Sequence, residues 1–212
     1  MSPRPIPASH STGCPISALT AAGAMKYKFA ANIQTILSKF EKKTMASDNL
    51  SFFTQRNHPQ WAVVDVKAAI EQAVKNAQNT LNTQQSICQA KLPESQLLTF
   101  GDANWISMAI TNLVVNAIEH SPTTATIKLV AQKVEQTIEI NVSDQGPGVS
   151  PGVEYKIFKP FYTTRPGATG LGLANVRTVM EKHGGGIRVG NHHQGGAIFT
   201  LILQSIQRQK AA

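Results

Sequence analysis

The chain has 212 residues, 42% hydrophobic and 15% charged, and a formal net charge of +8. That length holds one ordinary domain with a small appendage, and the apolar share can bury a core, so wholesale disorder is excluded. No apolar run approaches the ~20 residues that span a bilayer, and Cys14 and Cys88 are too few for a disulfide framework or a four-ligand zinc site.

The first residues carry Pro3, Pro5 and Pro7 and no apolar stretch of the secretory kind. With two unremarkable thiols, this leads us to expect a reducing, cytoplasmic setting. Residues 1–14 are expected to be a disordered tail. Residues 15–57 read as helix with interruptions. Phe29, Ile33, Ile36, Leu37 and Phe40 recur at helical spacing and give one apolar face, with Lys39, Glu41, Lys42 and Lys43 interleaved. No aromatic interleaving or nucleic-acid-reading motif accompanies these basic residues, so we read a solvated bundle face and expect no nucleic acid or membrane partner for this segment. Arg56-Asn57-His58-Pro59 reads as a linker.

Beyond the linker, the spacing of Val66, Ile70, Val74 and Leu81 predicts a helix over 65–82. A short strand is expected over 86–92, ending at Pro93. Gly101-Asp102 should cap a helix running to about Glu119. Two β-branched runs, 125–131 and 137–142, predict paired strands, the second half-buried by the alternation of Ile138, Ile140 and Val142. Residues 144–170 are rich in Gly, Pro and Thr and too long for an ordinary turn, which marks a functional loop. A helix over 171–182 and strands near 186–189 and 197–203 follow. Helices and mostly antiparallel strands in separate runs mean an α+β fold, a mixed or antiparallel sheet covered on one face by helices, preceded by a short helical hairpin. Residues 205–212 are left as a tail.

Three stretches carry chemistry. Asn112, Asn116 and His120 stand at i, i+4 and i+8, one stripe on the helix, while Ile106, Ile110, Leu113 and Ala117 face the core. An amide oxygen suits Mg²⁺, which is usually shared with substrate phosphates, yet such a stripe is also an ordinary solvated face. Asp144-Gln145-Gly146-Pro147-Gly148 directly follows a strand. A carboxylate fixed there can accept from an exocyclic amine beside glycines that admit a flat ring, and the same sequence makes a plain turn. Gly167-Ala168-Thr169-Gly170-Leu171-Gly172 leads straight into a helix, whose first N–H groups and positive dipole end suit phosphate. Neither P-loop spacing nor a dinucleotide-binding fingerprint is present. The pair His192-His193, with His58 and His183, lacks carboxylate or cysteine company and reads as a loop feature.

The order of these stretches decides between readings. Taken together they resemble the ATP-binding domain of the histidine-kinase, gyrase, heat-shock-chaperone and MutL (GHKL) superfamily, with its Bergerat-type fold, over roughly residues 61–204. Asn112–Ser121 is similar to the N box, Asp144–Gly148 to the G1 box, Phe158–Phe161 to the F box and Thr169–Gly172 to the G2 box. The likeness extends through Gly184-Gly185-Gly186 and residues 195–199. Hydrolytic members carry a water-activating glutamate where this chain has Asn112. The F box and Thr163-Thr164-Arg165 are in the style of sensor histidine kinases of two-component systems.

That resemblance implies ATP and Mg²⁺ as cofactors and transfer of the γ-phosphoryl group to a histidine in a phosphorelay. Asp144 would hold the adenine amine beside Gly146 and Gly148, and Asn116 the magnesium, with Asn112 next to it bridging the phosphates. His120, Phe161, Thr163, Thr164, Arg165, Thr169, Gly170, Leu171 and Gly172 complete the implied ATP site, and a lid over about 149–169 would order on ATP. His10 precedes Pro15 as in the family's H box and is the candidate phosphoacceptor, although Ser11 stands where that box has an acidic residue. Residues 26–56 resemble part of a dimerisation and phosphotransfer hairpin, so a weak homodimer and a response regulator are the implied partners. A non-catalytic nucleotide-binding module and an anti-sigma-type serine kinase are the two alternatives.

Overall fold

The computed structural model describes residues 58–81, 87–193 and 195–207. His10, the expected tail over 1–14 and the segment 15–57 expected to be helical lie outside the described residues. In chain order the elements are β1 (Ala62–Asp65), α1 (Val66–Leu81), β2 (Ile87–Lys91), β3 (Leu98–Gly101), α2 (Ala103–His120), β4 (Thr126–Val134), β5 (Thr137–Ser143), a 3₁₀ turn (Lys156–Phe158), α3 (Gly172–Lys182), β6 (Gly186–Asn191) and β7 (Ala197–Gln204).

Five strands form one sheet in the order β2-β4-β5-β7-β6. β2 runs parallel to β4, and all other pairs are antiparallel. A parallel neighbour needs a crossover, and here α2 lies in it. The period-two pattern of the central strands is the cause of their one-sided burial. Ile127, Leu129 and Ala131 of β4, Ile138, Ile140 and Val142 of β5, and Phe199, Leu201 and Leu203 of β7 are buried, while their alternate neighbours stay partly open. Ile140 lies between Ala131 and Leu201 in the register. The buried face meets Ile70 and Ala73 of α1, Ile106, Ile110, Leu113 and Ala117 of α2, and Val176, Val179 and Met180 of α3. Each large side chain buried there stabilises the fold by roughly 1.5–3 kcal/mol. The expected α+β layering is therefore the one observed.

The sequence reading missed β1 and β3, which pair with each other antiparallel as a separate two-stranded sheet. Each has only four residues, and Val63 and Phe100 point outward, so neither shows a long alternating pattern. Trp61 precedes β1. It is 43% exposed and stacks on Phe100, ring centroids 5.9 Å apart. The end of β7 and the residues just past it are tied to this small sheet, through Ile206 N to Leu98 O (2.9 Å) and Thr99 Oγ1 to Gln204 O (2.8 Å).

α2 and α3 lie side by side, and one end of the pair is locked by Asp102 and His183. Asp102 caps α2 by accepting from Asn104 N (2.9 Å) and Trp105 N (3.0 Å) through Oδ1. Its Oδ2 accepts from Gln60 N (2.6 Å) of the incoming chain. Its own N–H donates to Nε2 of His183 (3.0 Å), at the end of α3. Nδ1 of His183 is 2.7 Å from Val179 O. With Nε2 accepting, Nδ1 carries the proton and donates, so the two contacts fix the tautomer. His183 is a buried structural residue.

Candidate functional site

At the opposite end of the α2–α3 pair, four segments converge. The first is the last part of α2. Asn112 is buried, and its Nδ2 donates to Met108 O (3.1 Å), one turn back. That bond fixes the amide, and among the described residues no hydrogen bond engages its Oδ1. Asn116 and His120 are half-buried on the same stripe.

The second segment leaves β5 at Asp144. Its carboxylate is buried, and Oδ1 accepts from Gly146 N (2.9 Å) and Ala197 N (2.9 Å). One oxygen is thus anchored by two backbone donors. Among the described residues nothing donates to the other, Oδ2, which is left able to accept from a ligand. The loop then crosses the end of α2. Gln145 N donates to Ser121 Oγ (3.1 Å), and a Cβ on Gly146 would stand 2.5 Å from His120 O. Only glycine permits that approach.

The third segment is the long loop before α3. It is not featureless. Phe158 is buried and meets Phe199 edge to face, centroids 6.5 Å apart, which roots the loop in the core. Beyond that root the loop closes on itself. Phe161 N donates to Gly170 O (2.9 Å), Phe161 adopts φ 67° and Gly170 φ 66°. A Cβ on Gly170 would lie 2.5 Å from the Phe161 carbonyl carbon. A phenylalanine at positive φ is a strained residue held by its surroundings, and such strain gathers at functional segments. Thr163 Oγ1 accepts from Arg165 N (3.0 Å) and organises the turn, while Thr164 is exposed and Thr169 half-buried. The Arg165 guanidinium pairs with Glu119 of α2, so the tip of the loop rests on the Asn-bearing helix.

The fourth segment is the start of α3. Leu171 is buried at the N-cap position and supplies no capping hydrogen bond, and the first turn carries no acidic residue. The N–H groups and the positive end of the helix dipole at Gly172 are therefore available to an anion.

The contacts thus bring the last part of α2, the Asp144 loop, the loop before α3 and the start of α3 into one neighbourhood. His192 and His193 stand apart. They are exposed on the β6–β7 hairpin, rings 4.9 Å apart, and no cluster of three His, Cys, Asp or Glu among the described residues could hold a metal. Two participants escaped the sequence reading. Glu119 is an ordinary-looking residue of the helix stripe until the loop folds back on it. Asn191 anchors Val149 through two hydrogen bonds, Val149 N to Oδ1 (2.8 Å) and Nδ2 to Val149 O (2.7 Å). The only sequence signal for it was a polar residue ending a strand. Among the described residues no helix is long and apolar enough to cross a membrane.

Comparison with known proteins agrees with this geometry. Residues 101–207, just over half of the chain, match the family described as histidine kinase-, DNA gyrase B- and HSP90-like ATPase. The sensor histidine kinase ZraS of Salmonella typhimurium is 37% identical over 110 residues, 51% of this chain and 24% of that protein. The signal transduction histidine-protein kinase AtoS of Escherichia coli is 27% identical over 173 residues, 81% of this chain and 28% of that protein. The chain thus matches only about a quarter of the length of these relatives. Among solved structures, the mycobacterial sensor histidine kinase MprB superposes with a TM-score of 0.63 at 24% identity, over 69% of this chain and 98% of that one. That likeness bears on the fold.

Proposed function

The chain belongs to the histidine kinase-, DNA gyrase B- and HSP90-like ATPase family as a histidine-kinase catalytic domain, and we propose that it binds Mg-ATP and passes the γ-phosphoryl group to a histidine for relay to a response regulator. The observation that carries this reading is Asp144. Its Oδ1 is held by two backbone N–H groups and its Oδ2 is left to accept the exocyclic amine of adenine. Gly146 and Gly148 let the ring lie against the backbone. The triphosphate then runs toward the uncapped start of α3, where Gly170, Leu171 and Gly172 present N–H groups. His120, Thr163, Thr164, Arg165 and Thr169 add donors or charge around it, and Phe161 shields it at the loop base.

The residues fit a magnesium ion. Asn116 and Asn112 offer amide oxygens without a carboxylate cluster, a donor set suited to an ion that keeps water and phosphate oxygens in its shell. When bound, magnesium neutralises phosphate charge. The chain's own part is to position the phosphates, exclude water as the loop before α3 closes, and aim the terminal phosphoryl group at a nucleophile. With asparagine at position 112, no carboxylate there activates water, which favours transfer over hydrolysis. His10 is the proposed phosphoacceptor, in cis or in trans, and it precedes the proposed dimerisation segment over 15–57. Ser11 favours a second reading, a module that binds nucleotide without transfer, because an acidic neighbour would otherwise take the histidine's proton.

Incubation with γ-labelled ATP separates these readings. Acid-labile label that disappears in His10→Ala supports the kinase reading. ATP binding without label on His10 or on a supplied histidine-bearing partner supports the module, and acid-stable phosphoserine the serine kinase. Asp144→Asn keeps an acceptor for Gly146 and Ala197 but turns a donor toward adenine, and calorimetry should register a loss of ATP affinity of at least about a hundredfold. Asn116→Ala should remove only the magnesium-dependent gain in affinity.

A further inference from the structure

The β6–β7 hairpin grips the Asp144 loop at both of its ends. At one foot of the hairpin, both backbone groups of Ala197 bond Asp144, the N–H donating to the side-chain Oδ1 (2.9 Å) and the carbonyl accepting from the Asp144 N–H (3.0 Å). At the other foot, Asn191 holds Val149 by both of its backbone groups, at 2.8 and 2.7 Å. Asn191 and Ala197 are themselves partners across the hairpin. The span from Asp144 to Val149 is therefore set by two residues that face each other on one rigid element. Only one orientation of the Asn191 amide satisfies both bonds, since the N–H of Val149 needs the oxygen and its carbonyl needs the NH₂. Gly148 fits beneath it at φ 78°, where a Cβ would stand 2.8 Å from Asn191 Oδ1. Val149 is also where the long loop toward α3 begins.

We propose that Asn191 is a positioning residue of the nucleotide site. It acts through Val149, holding Gly146–Gly148 at the height the adenine ring requires and fixing the root from which the loop moves. This rests on the nucleotide reading above. Asn191 is exposed, so its loss removes little buried area and the fold does not depend on it.

The test uses the full chain with Asn191→Ala and Asn191→Asp. The second keeps an acceptor for the Val149 N–H but sets a carboxylate oxygen against the Val149 carbonyl. Amide exchange at Val149 should quicken in Asn191→Ala, and calorimetric affinity for both ATP and ADP should weaken about tenfold in each variant. The magnesium-dependent gain and the thermal midpoint should stay as in the parent. Affinity within twofold of the parent in both variants, or a lowered midpoint with affinity unmoved, would overturn the inference. A parent chain that binds no ATP overturns the nucleotide reading together with it, whereas a parent that binds ATP as tightly as both variants overturns only this inference.

Discussion

The two ends of the α2–α3 pair are finished in opposite ways. At the Asp102–His183 end, the first donors of α2 are capped, Val179 O of α3 accepts a hydrogen bond from His183, and Gln60 of the incoming chain donates to the Asp102 carboxylate. At the other end α3 starts without a cap, Asp144 commits one of its two oxygens, and Phe161 is held at positive φ. Polar groups satisfied inside the protein contribute to stability, and those left aimed outward are open to water or to a ligand. The same helices are thus a structural joint at one end and, on the reading proposed above, a nucleotide receptor at the other.

The comparison predicts that substitutions at the two ends separate stability from affinity. The largest stability loss should come from His183→Ala, which deletes both hydrogen bonds and opens a gap beside Trp61 and Trp105. Urea unfolding should show a loss of about 3 kcal/mol, with ATP affinity of the folded protein unchanged. A loss under about 1 kcal/mol would mean the joint is not a joint. Gly170→Ala sets a Cβ against the Phe161 backbone at a φ that alanine rarely adopts. It should cost about 1–3 kcal/mol of local strain, read as weakened ATP affinity with a smaller change in global stability. A crystal structure of that variant with the Phe161–Gly170 bond intact and affinity unaltered would refute the role assigned to the loop base.

Glu119→Gln breaks the ion pair with Arg165, whose side chains are 30% and 40% exposed. Stability should fall by only about 0.2–1 kcal/mol, while proteolysis within 162–169 should quicken in the absence of nucleotide. The smallest effect is chemical. Burial raises the Cys88 thiol above its ordinary value, so in a Cys14→Ser background a maleimide should label the folded chain more slowly than the unfolded one at neutral pH. Equal rates would place Cys88 in free solvent.

The end proposed to bind nucleotide carries clearer sequence motifs than the joint. Asp144, Asn116 and the glycines before α3 form short motifs, because their chemistry demands fixed residue types at fixed local spacing. The long central strands and three helices were legible for the related reason that burial imposes a period. β1 and β3 were not, since four residues with two outward apolar side chains carry no periodic signal and are strands only through each other. The same holds for Asp102 with His183 and for Asn191 with Val149. The partners are 81 and 42 residues apart; Asp102 was readable as a helix cap, but nothing local tied it to His183 or tied Asn191 to Val149. Pair interactions of that range have no local signature.

The tie between the last strand and the first small sheet has a kinetic consequence. Thr99 donates to Gln204, 105 residues later, and Leu98 accepts from Ile206. During synthesis the chain emerges from its N-terminal side, so β1 and β3 can pair early, but the bonds that fasten them to the main sheet exist only once residue 206 is free. Closure of such long loops is slow and comes late. The joining of this small sheet to the end of β7 therefore waits until synthesis has passed Ile206, and a ribosome-stalled chain ending before Gln204 should remain protease-sensitive around β1 and β3.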